Sequence, residues 1–327
     1  MTGREFLQPA FCRSMLRRGM TWLLAGCSVL AAQQGTVAGP TSGLVFDQVA
    51  GVLRPVLGVL GGATLGDGVP LSYAVNWVVV APRLDSAVAA AEDGSLHFLR
   101  LTPNGVSELT IPGVTEVPRG VVYSPSGTAA ALLYTVQAQV VTGFPGGPVA
   151  DKLMPLETEP ETRLHPAAPP ASGTVALSDD GAVLLQVHGG SVRMAGATGR
   201  RNLIGGTMVA FAHGGHDAAV ADGAGVTLVR DVDGAAGQTV LTNQGVSQPV
   251  GIAFSADGAT VFAAGSAGLV ALSTAGGPLT PVACECAPVQ LAAMGQLFLL
   301  NPLAAGPLWV LDPSNSAPRT AFVPALR

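Results

Sequence analysis

Residues 252–282 read IAFSADGATVFAAGSAGLVALSTAGGPLTPV. Four apolar stretches alternate with three small, Gly-containing separators: SADG, SAG and TAGG. Each apolar stretch has the length of a strand, and each separator places a Gly where a tight turn needs positive φ. The run TVFAAG is almost continuously apolar, as expected of a strand covered on both faces. Two β-hairpins in series, and so one four-stranded antiparallel sheet, are what this stretch predicts.

Both hairpins recur along the chain. Copies of the first, an apolar strand, a tight turn and a second apolar strand, are VVVAPRLDSAVAAA from Val78, VVYSPSGTAAALLY from Val121 and VALSDDGAVLLQV from Val175. VAFAHGGHDAAVA from Val209 and VQLAAMGQLFLLN from Val289 complete that series. The second hairpin returns as LHFLRLTPNGVSELTI from Leu96, VVTGFPGGPVADKL from Val140 and VRMAGATGRRNLIG from Val192. It returns again as VTLVRDVDGAAGQTVL from Val226 and LWVLDPSNSAPRTAFV from Leu308, and LVFDQVAGVLRPVLG from Leu44 is read as a further copy. A strand-built unit repeating at roughly 35–50 residues predicts a β-propeller, with the first hairpin of each blade inside and the second outside.

No window shows a sustained helical stripe free of Gly and Pro, so the fold class is all-β, a single β-propeller. The tally is about seven outer and about six inner hairpins, the surplus one being at Leu44. Seven blades with an incomplete first blade is the favoured count. The other reading is six blades, with the N-terminal hairpin packed on the last one. Pairing the chain ends within one blade would protect the sheet edges.

Through turns such as SPSG at 124–127, SDDG at 178–181 and SADG at 255–258, the chain is similar to the WD40/YVTN-type β-propeller superfamily. There an SPDG-like turn joins the first two strands of a blade. The resemblance covers residues 44–326 as a pattern. The Trp-Asp, Gly-His and Tyr-Val-Thr-Asn signatures are absent, so it names no subfamily.

The N-terminus follows different rules. MLRRG from Met15 and MTWLLAGCSVLAA from Met20 form a basic segment followed by an apolar one, the pattern of an export signal. That apolar run is shorter than the roughly 20 residues a bilayer span needs. Residues 1–32 are therefore read as an export signal, with 1–14 as an upstream extension, 33–43 as a linker and 44–327 as the propeller domain. Two fates stay open: acylation of Cys27 in the lipobox-like Leu24-Ala25-Gly26-Cys27, or ordinary cleavage after Ala31 or Ala32. Either places the protein in the periplasm, in the envelope or outside the cell, and membrane association is expected only through a lipid on Cys27. The Pro- and Glu-rich stretch 155–172 reads as an exposed insertion.

Of 327 residues, 48% are hydrophobic and 11% charged, with 43 Gly and 25 Pro. Such a small-residue composition suits tapering strands and tight turns. The formal net charge of −5, with no basic run beyond the N-terminus, gives no electrostatic footprint for nucleic acid.

Four groups invite chemistry. Cys284 and Cys286 are the two cysteines downstream of the signal. At i and i+2 of an extended strand their Cα atoms would stand about 6–7 Å apart, so a disulfide needs a turn, and Pro281 and Pro288 flank the pair. A local Cys284–Cys286 disulfide is the expectation, with free thiols, a redox pair or a soft-metal site as the alternatives. His213, His216 and Asp217 in AHGGHD are weak candidates for a metal site, weighed against an ordinary solvated turn. Asp231-Val232-Asp233-Gly234 opens like a calcium loop but has Thr242 where such a loop has its glutamate, so it reads as an outer turn. His97, His165 and His188 stand alone. Trp77 and Trp309 fall in predicted strands and are expected to pack.

No GxSxG, Walker-type or HExxH motif is present, so no catalytic residue and no cofactor is assigned. The functional expectation is an exported, non-catalytic propeller that binds or scaffolds a protein or envelope component. Two alternatives are carried with it: a propeller hydrolase of the lactonase kind, with acids or histidines converging at a channel mouth, and a purely structural surface repeat protein.

Overall fold

The computed structural model describes residues 39–325, other than 104, 158–172, 198, 245, 305, 315 and 316. The expected export signal, Cys27 and residues 158–172 of the insertion, with His165, lie outside the described residues. The described residues form seven antiparallel sheets and no helix. Blade 1 comprises β1 (Thr41–Asp47), β2 (Val52–Leu57) and β3 (Thr64–Leu65). Blades 2 to 7 are each four consecutive strands: β4–β7 over 75–109, β8–β11 over 120–155, β12–β15 over 175–205, β16–β19 over 208–242, β20–β23 over 249–282 and β24–β27 over 292–323.

The core is radial. Seven apolar clusters lie one at each interface between neighbouring sheets. Val261, Ala263 and Leu272 of blade 6 face Ala219, Val226 and Leu228 of blade 5. The ring closes where Val45, Val56 and Leu65 of blade 1 meet Met294, Val310 and Val323 of blade 7. The strands β5 (Ser86–Ala91), β9 (Ala129–Leu133) and β17 (Ala218–Ala221) are buried at every position, because a neighbouring blade covers each face. The run of alanines there lets two sheets approach near the narrow centre. Trp77 is buried between blades 2 and 3, and Trp309 packs on Phe322 with ring centroids 5.6 Å apart.

The seven-blade count with a short first blade holds, but the expected place of the Leu44 hairpin does not. It is not an outer hairpin: β1 is the innermost strand of its sheet and packs beside β4 (Val75–Val80) and β24 (Ala292–Met294). A strand–turn–strand pattern carries no mark of its distance from the axis, and this copy lacks the Ser/Asp/Gly turn of the inner series. Nor, among the described residues, does any blade combine strands from the two chain ends. Side-chain packing closes the ring, with one isolated bridge between Asp47 and Leu303.

Candidate functional site

The turns that end the first strands form one rim of an axial channel. Three of them are built on a buried Ser: Ser124, Ser178 and Ser255. Ser178 Oγ accepts the Val183 N–H (2.9 Å) and donates to Asp180 Oδ1 (2.6 Å), while Asp180 Oδ1 also accepts the Ala182 N–H (2.9 Å). Ser255 and Asp257 repeat this arrangement around Thr260 and Ala259. Gly181 and Gly258, at φ 67° and 68°, complete the two turns. Ser-x-Asp-Gly therefore satisfies its own buried groups, which is why it recurs.

Neighbouring turns are tied to one another. Asp179 accepts the Ser126 N–H of blade 3 and the Gly214 N–H of blade 5, each at 2.7 Å. His216 faces two carboxylates, with Nδ1 2.7 Å from Asp233 Oδ1 and Nε2 3.1 Å from Asp180 Oδ2. Burial pushes its pKa down, but the hydrogen bonds to Asp180 and Asp233 outweigh that and hold it above the ordinary 6.5. For Asp180, burial disfavours the charge, and bonds from Ser178, Ala182 and His216 overcome it, so its pKa lies below 3.8.

The three weak metal candidates do not converge. Both nitrogens of His216 are taken by carboxylates, and Asp217 receives Arg230 Nη1 at 2.5 Å and the Asp231 N–H at 2.9 Å. His213 instead lines the channel. Among the described residues no three His, Cys, Asp or Glu side chains are placed to hold a metal ion. Asp231–Gly234 forms the turn between β18 (Val226–Arg230) and β19 (Gly237–Thr242), and its Asp233 serves His216. His97 stacks on Tyr73 (centroids 3.7 Å apart), and His188 ends strand β13 (Leu184–His188). Cys284 and Cys286 are within bonding distance, with Cα atoms 5.0 Å apart across a bend after β23 (Thr280–Val282). They pack, partly buried, against the apolar cluster that holds Phe298 and Leu311, between blades 6 and 7.

The channel holds a cavity of about 390 Å³ walled by the first strands of blades 2 to 7 and by β1, the innermost strand of blade 1, which runs in the opposite direction. Phe46, Val80, Val122, Val175, Ala210 and Ala253 give it an apolar wall, and Gln48, Ser124, His213 and Gln290 are polar groups on it. No Asp, Glu, Lys or Arg is among its described lining residues. A volume within the ~300–1,000 Å³ of ligand pockets, with few polar groups, suits an apolar guest held by shape. Sequence reasoning missed this wall, because runs such as VVY and IAF read equally as core.

No family model matches the chain, and no curated protein matches it. Solved structures do. A protein of unknown function from Desulfotomaculum acetoxidans aligns at TM-score 0.56 and 14% identity, over 88% of this chain and 100% of that one. A candidate 6-phosphogluconolactonase from Bacteroides uniformis aligns at TM-score 0.53 and 15% identity, over 86% and 93%. Its counterpart from Bacteroides fragilis aligns at TM-score 0.51 and 13% identity, over 86% and 92%. At such identities the likeness is one of fold. What the likeness shows is the β-propeller fold, here a ring of seven radially packed blades.

Proposed function

We propose that this chain is an exported, non-catalytic β-propeller that binds a protein or cell-envelope component at the apolar mouth of its axial channel. The observation that carries this reading is the channel wall: apolar on every blade, with no carboxylate or cation among the described lining residues. A hydrolase needs groups that move protons or polarise a substrate at one point, and here His213 and Tyr123 are the titratable side chains on the described wall. The lactonase names of two structural neighbours stay with those proteins.

The test is a photo-crosslinking amino acid at Val49, 84% exposed at the β1–β2 turn, and a second at Val240, 57% exposed on the outer strand β19. The reading expects one defined adduct to an envelope component from position 49 in cells, and none from position 240. Equal, diffuse labelling from both would overturn it. Export is tested by mass spectrometry of the mature N-terminus: an acylated Cys27, or a free start at Ala32 or Gln33, supports it, and an intact Met1 or Met15 refutes it.

A further inference from the structure

A second cavity, of about 250 Å³, shares no lining residue with the channel. Its walls come from β13, β14 (Ser191–Gly196) and β15 (Gly199–Gly205) of blade 4, and from Pro155 and Glu157 at the end of blade 3. The ladder sets Gln186, Arg193 and Asn202 in one row, and Leu184, Ala195 and Arg200 in another. Residues two apart on a strand share a face, so both rows stand on the same side of the sheet. It is the side turned to blade 3, because Leu184 packs with Val140 and Met154. Arg201 belongs to the other face, where its Nη2 donates to Val232 O and Gly234 O of blade 5. Arg193 and Arg200 are left on the cavity side.

Both arginines meet one oxygen. Arg193 Nη1 is 3.0 Å from Glu157 Oε1 and Arg200 Nη1 is 3.7 Å from the same atom, while Arg200 Nη2 donates to Leu156 O at 3.3 Å. The backbone of Glu157 is fixed by Gln186: its N–H donates to Oε1 at 2.8 Å, and its carbonyl accepts from Nε2 at 2.9 Å. The hydrogen bond from Arg193 holds the Glu157 carboxyl below the ordinary 4.5, so the group is ionised at neutral pH. Two guanidinium groups against one carboxylate leave one positive charge over. Exposed ion pairs by themselves imply no ligand. One donor does not fit that account: Arg193 Nε is buried and has no hydrogen-bond partner, a costly state for a buried N–H. Glu157 takes Nη1 and not the Nε–Nη2 edge, the edge that grips a carboxylate with two parallel bonds.

We propose that this cleft between blades 3 and 4 binds a small organic monocarboxylate. Arg193 turns its guanidinium into the cavity it lines, Nε and Nη2 donate to the two carboxylate oxygens, and Arg200 faces the same group from β15. Pro155, Leu184 and Ala195 cover the apolar body of the acid. The single surplus charge matches a monoanion, whereas a phosphate dianion would stay uncompensated beside Glu157. A volume below the ~300–1,000 Å³ of drug-sized pockets sets a small guest. The site is independent of the channel reading. A free acid and the C-terminus of a peptide offer the same carboxylate, and the test separates them.

The probes are hexanoate, neutral hexanamide, hydrogen phosphate, and acetyl-alanyl-valine with a free or an amidated C-terminus. Each is added to the full-length protein carrying isotope-labelled arginine. The Nε–H signal of Arg193, identified by its loss in Arg193→Lys, reports the site by NMR. Hexanoate is expected to shift that signal saturably and hexanamide to leave it in place, with hydrogen phosphate binding about tenfold more weakly than hexanoate. Arg193→Lys keeps the charge but loses the fork, and should weaken hexanoate about tenfold in calorimetry. Glu157→Gln removes a like charge and should tighten hexanoate about fivefold. Tighter binding of the free-acid peptide than of hexanoate, with none of its amide, assigns the site to a C-terminus; weaker binding assigns it to a small free acid. The wild-type series alone can overturn the proposal. Equal binding of hexanamide would mean that the cleft recognises apolar bodies and not carboxylates, and tighter binding of phosphate would refute a monoanion site. No shift with hexanoate or the free-acid peptide would make the arginines a structural cluster only.

Discussion

Blade 6 and blade 1 serve the same ring by different means. Blade 6 has four strands, and its inner turn is locked by buried Ser255 with Asp257 and Gly258. Blade 1 has three strands, and its β1–β2 turn hangs on Asp47, which accepts the Val49 and Ala50 N–H groups and Arg54 Nε. Yet both bury their apolar faces equally well: Phe262 is 1% exposed and Leu53 0%. The difference teaches that the contact between blades reads side-chain faces and not strand direction. Hydrogen bonds run within sheets, side chains meet between them, and a reversed strand still presents alternate residues to each neighbour.

The largest expected effect tests whether the two blades are equally well packed. Phe262→Ala should cost about 3–5 kcal/mol and Leu53→Ala about 2–5 kcal/mol in urea denaturation. A Leu53→Ala cost below about 1 kcal/mol would mean that blade 1 is an appendage outside the cooperative core.

Next come the turns. Ser255→Ala leaves the half-buried Thr260 N–H without its acceptor beside a buried position and should cost about 1–3 kcal/mol. Asp47→Ala, in a turn with exposed Val49 and Ala50, should cost about 0.5–1.5 kcal/mol. A reversed order in thermal melts would refute the claim that blade 6 owes more to its turn than blade 1 does.

A smaller effect is expected at the seam between blades 6 and 7. A ring closed between Cys284 and Cys286 would be short, so the Cys284→Ser, Cys286→Ser double variant should lose no more than about 1–2 kcal/mol. A larger loss would show that the blade 6 edge needs a covalent clamp.

The smallest effect is a pH dependence found on one side of the ring. His216, with its pKa raised above 6.5, contributes stability that is full below 6.5 and fades as pH rises through its folded value. Asp180, with its pKa lowered below 3.8, contributes above 3.8 and loses that contribution as pH falls through its folded value. Amide exchange near Gly214 should thus be slowest between those limits, and His216→Gln should abolish the alkaline loss. The blade 1 turn, where Asp47 is paired with an arginine, should show no alkaline loss over that range. Equal alkaline loss in both turns would remove the assigned role of His216.

Much of the fold was legible because it repeats. The Ser-x-Asp-Gly turns and the strands around them are local patterns, and seven near-copies average out the ambiguity of any one. The Cys284–Cys286 proximity was legible from spacing and flanking prolines. The His213, His216 and Asp217 cluster was misleading, since adjacency in sequence sends His213 to the channel, His216 to carboxylates of blades 4 and 5, and Asp217 to Arg230. The channel wall was hidden because a valine that faces the axis and one that faces a neighbouring blade look alike in a strand.

By itself, the order of residues determined an all-β array of hairpins, its repeat and its turn chemistry, since these depend on contacts a few residues apart. Only the tertiary structure decided that Leu44 and Phe46 belong to the innermost strand of blade 1, and that this strand opposes its neighbours. Strand direction leaves no trace in an apolar pattern, which reads the same from either end. Radial position is set by which sheets close the ring, through packing between residues as distant in sequence as Val45 and Met294.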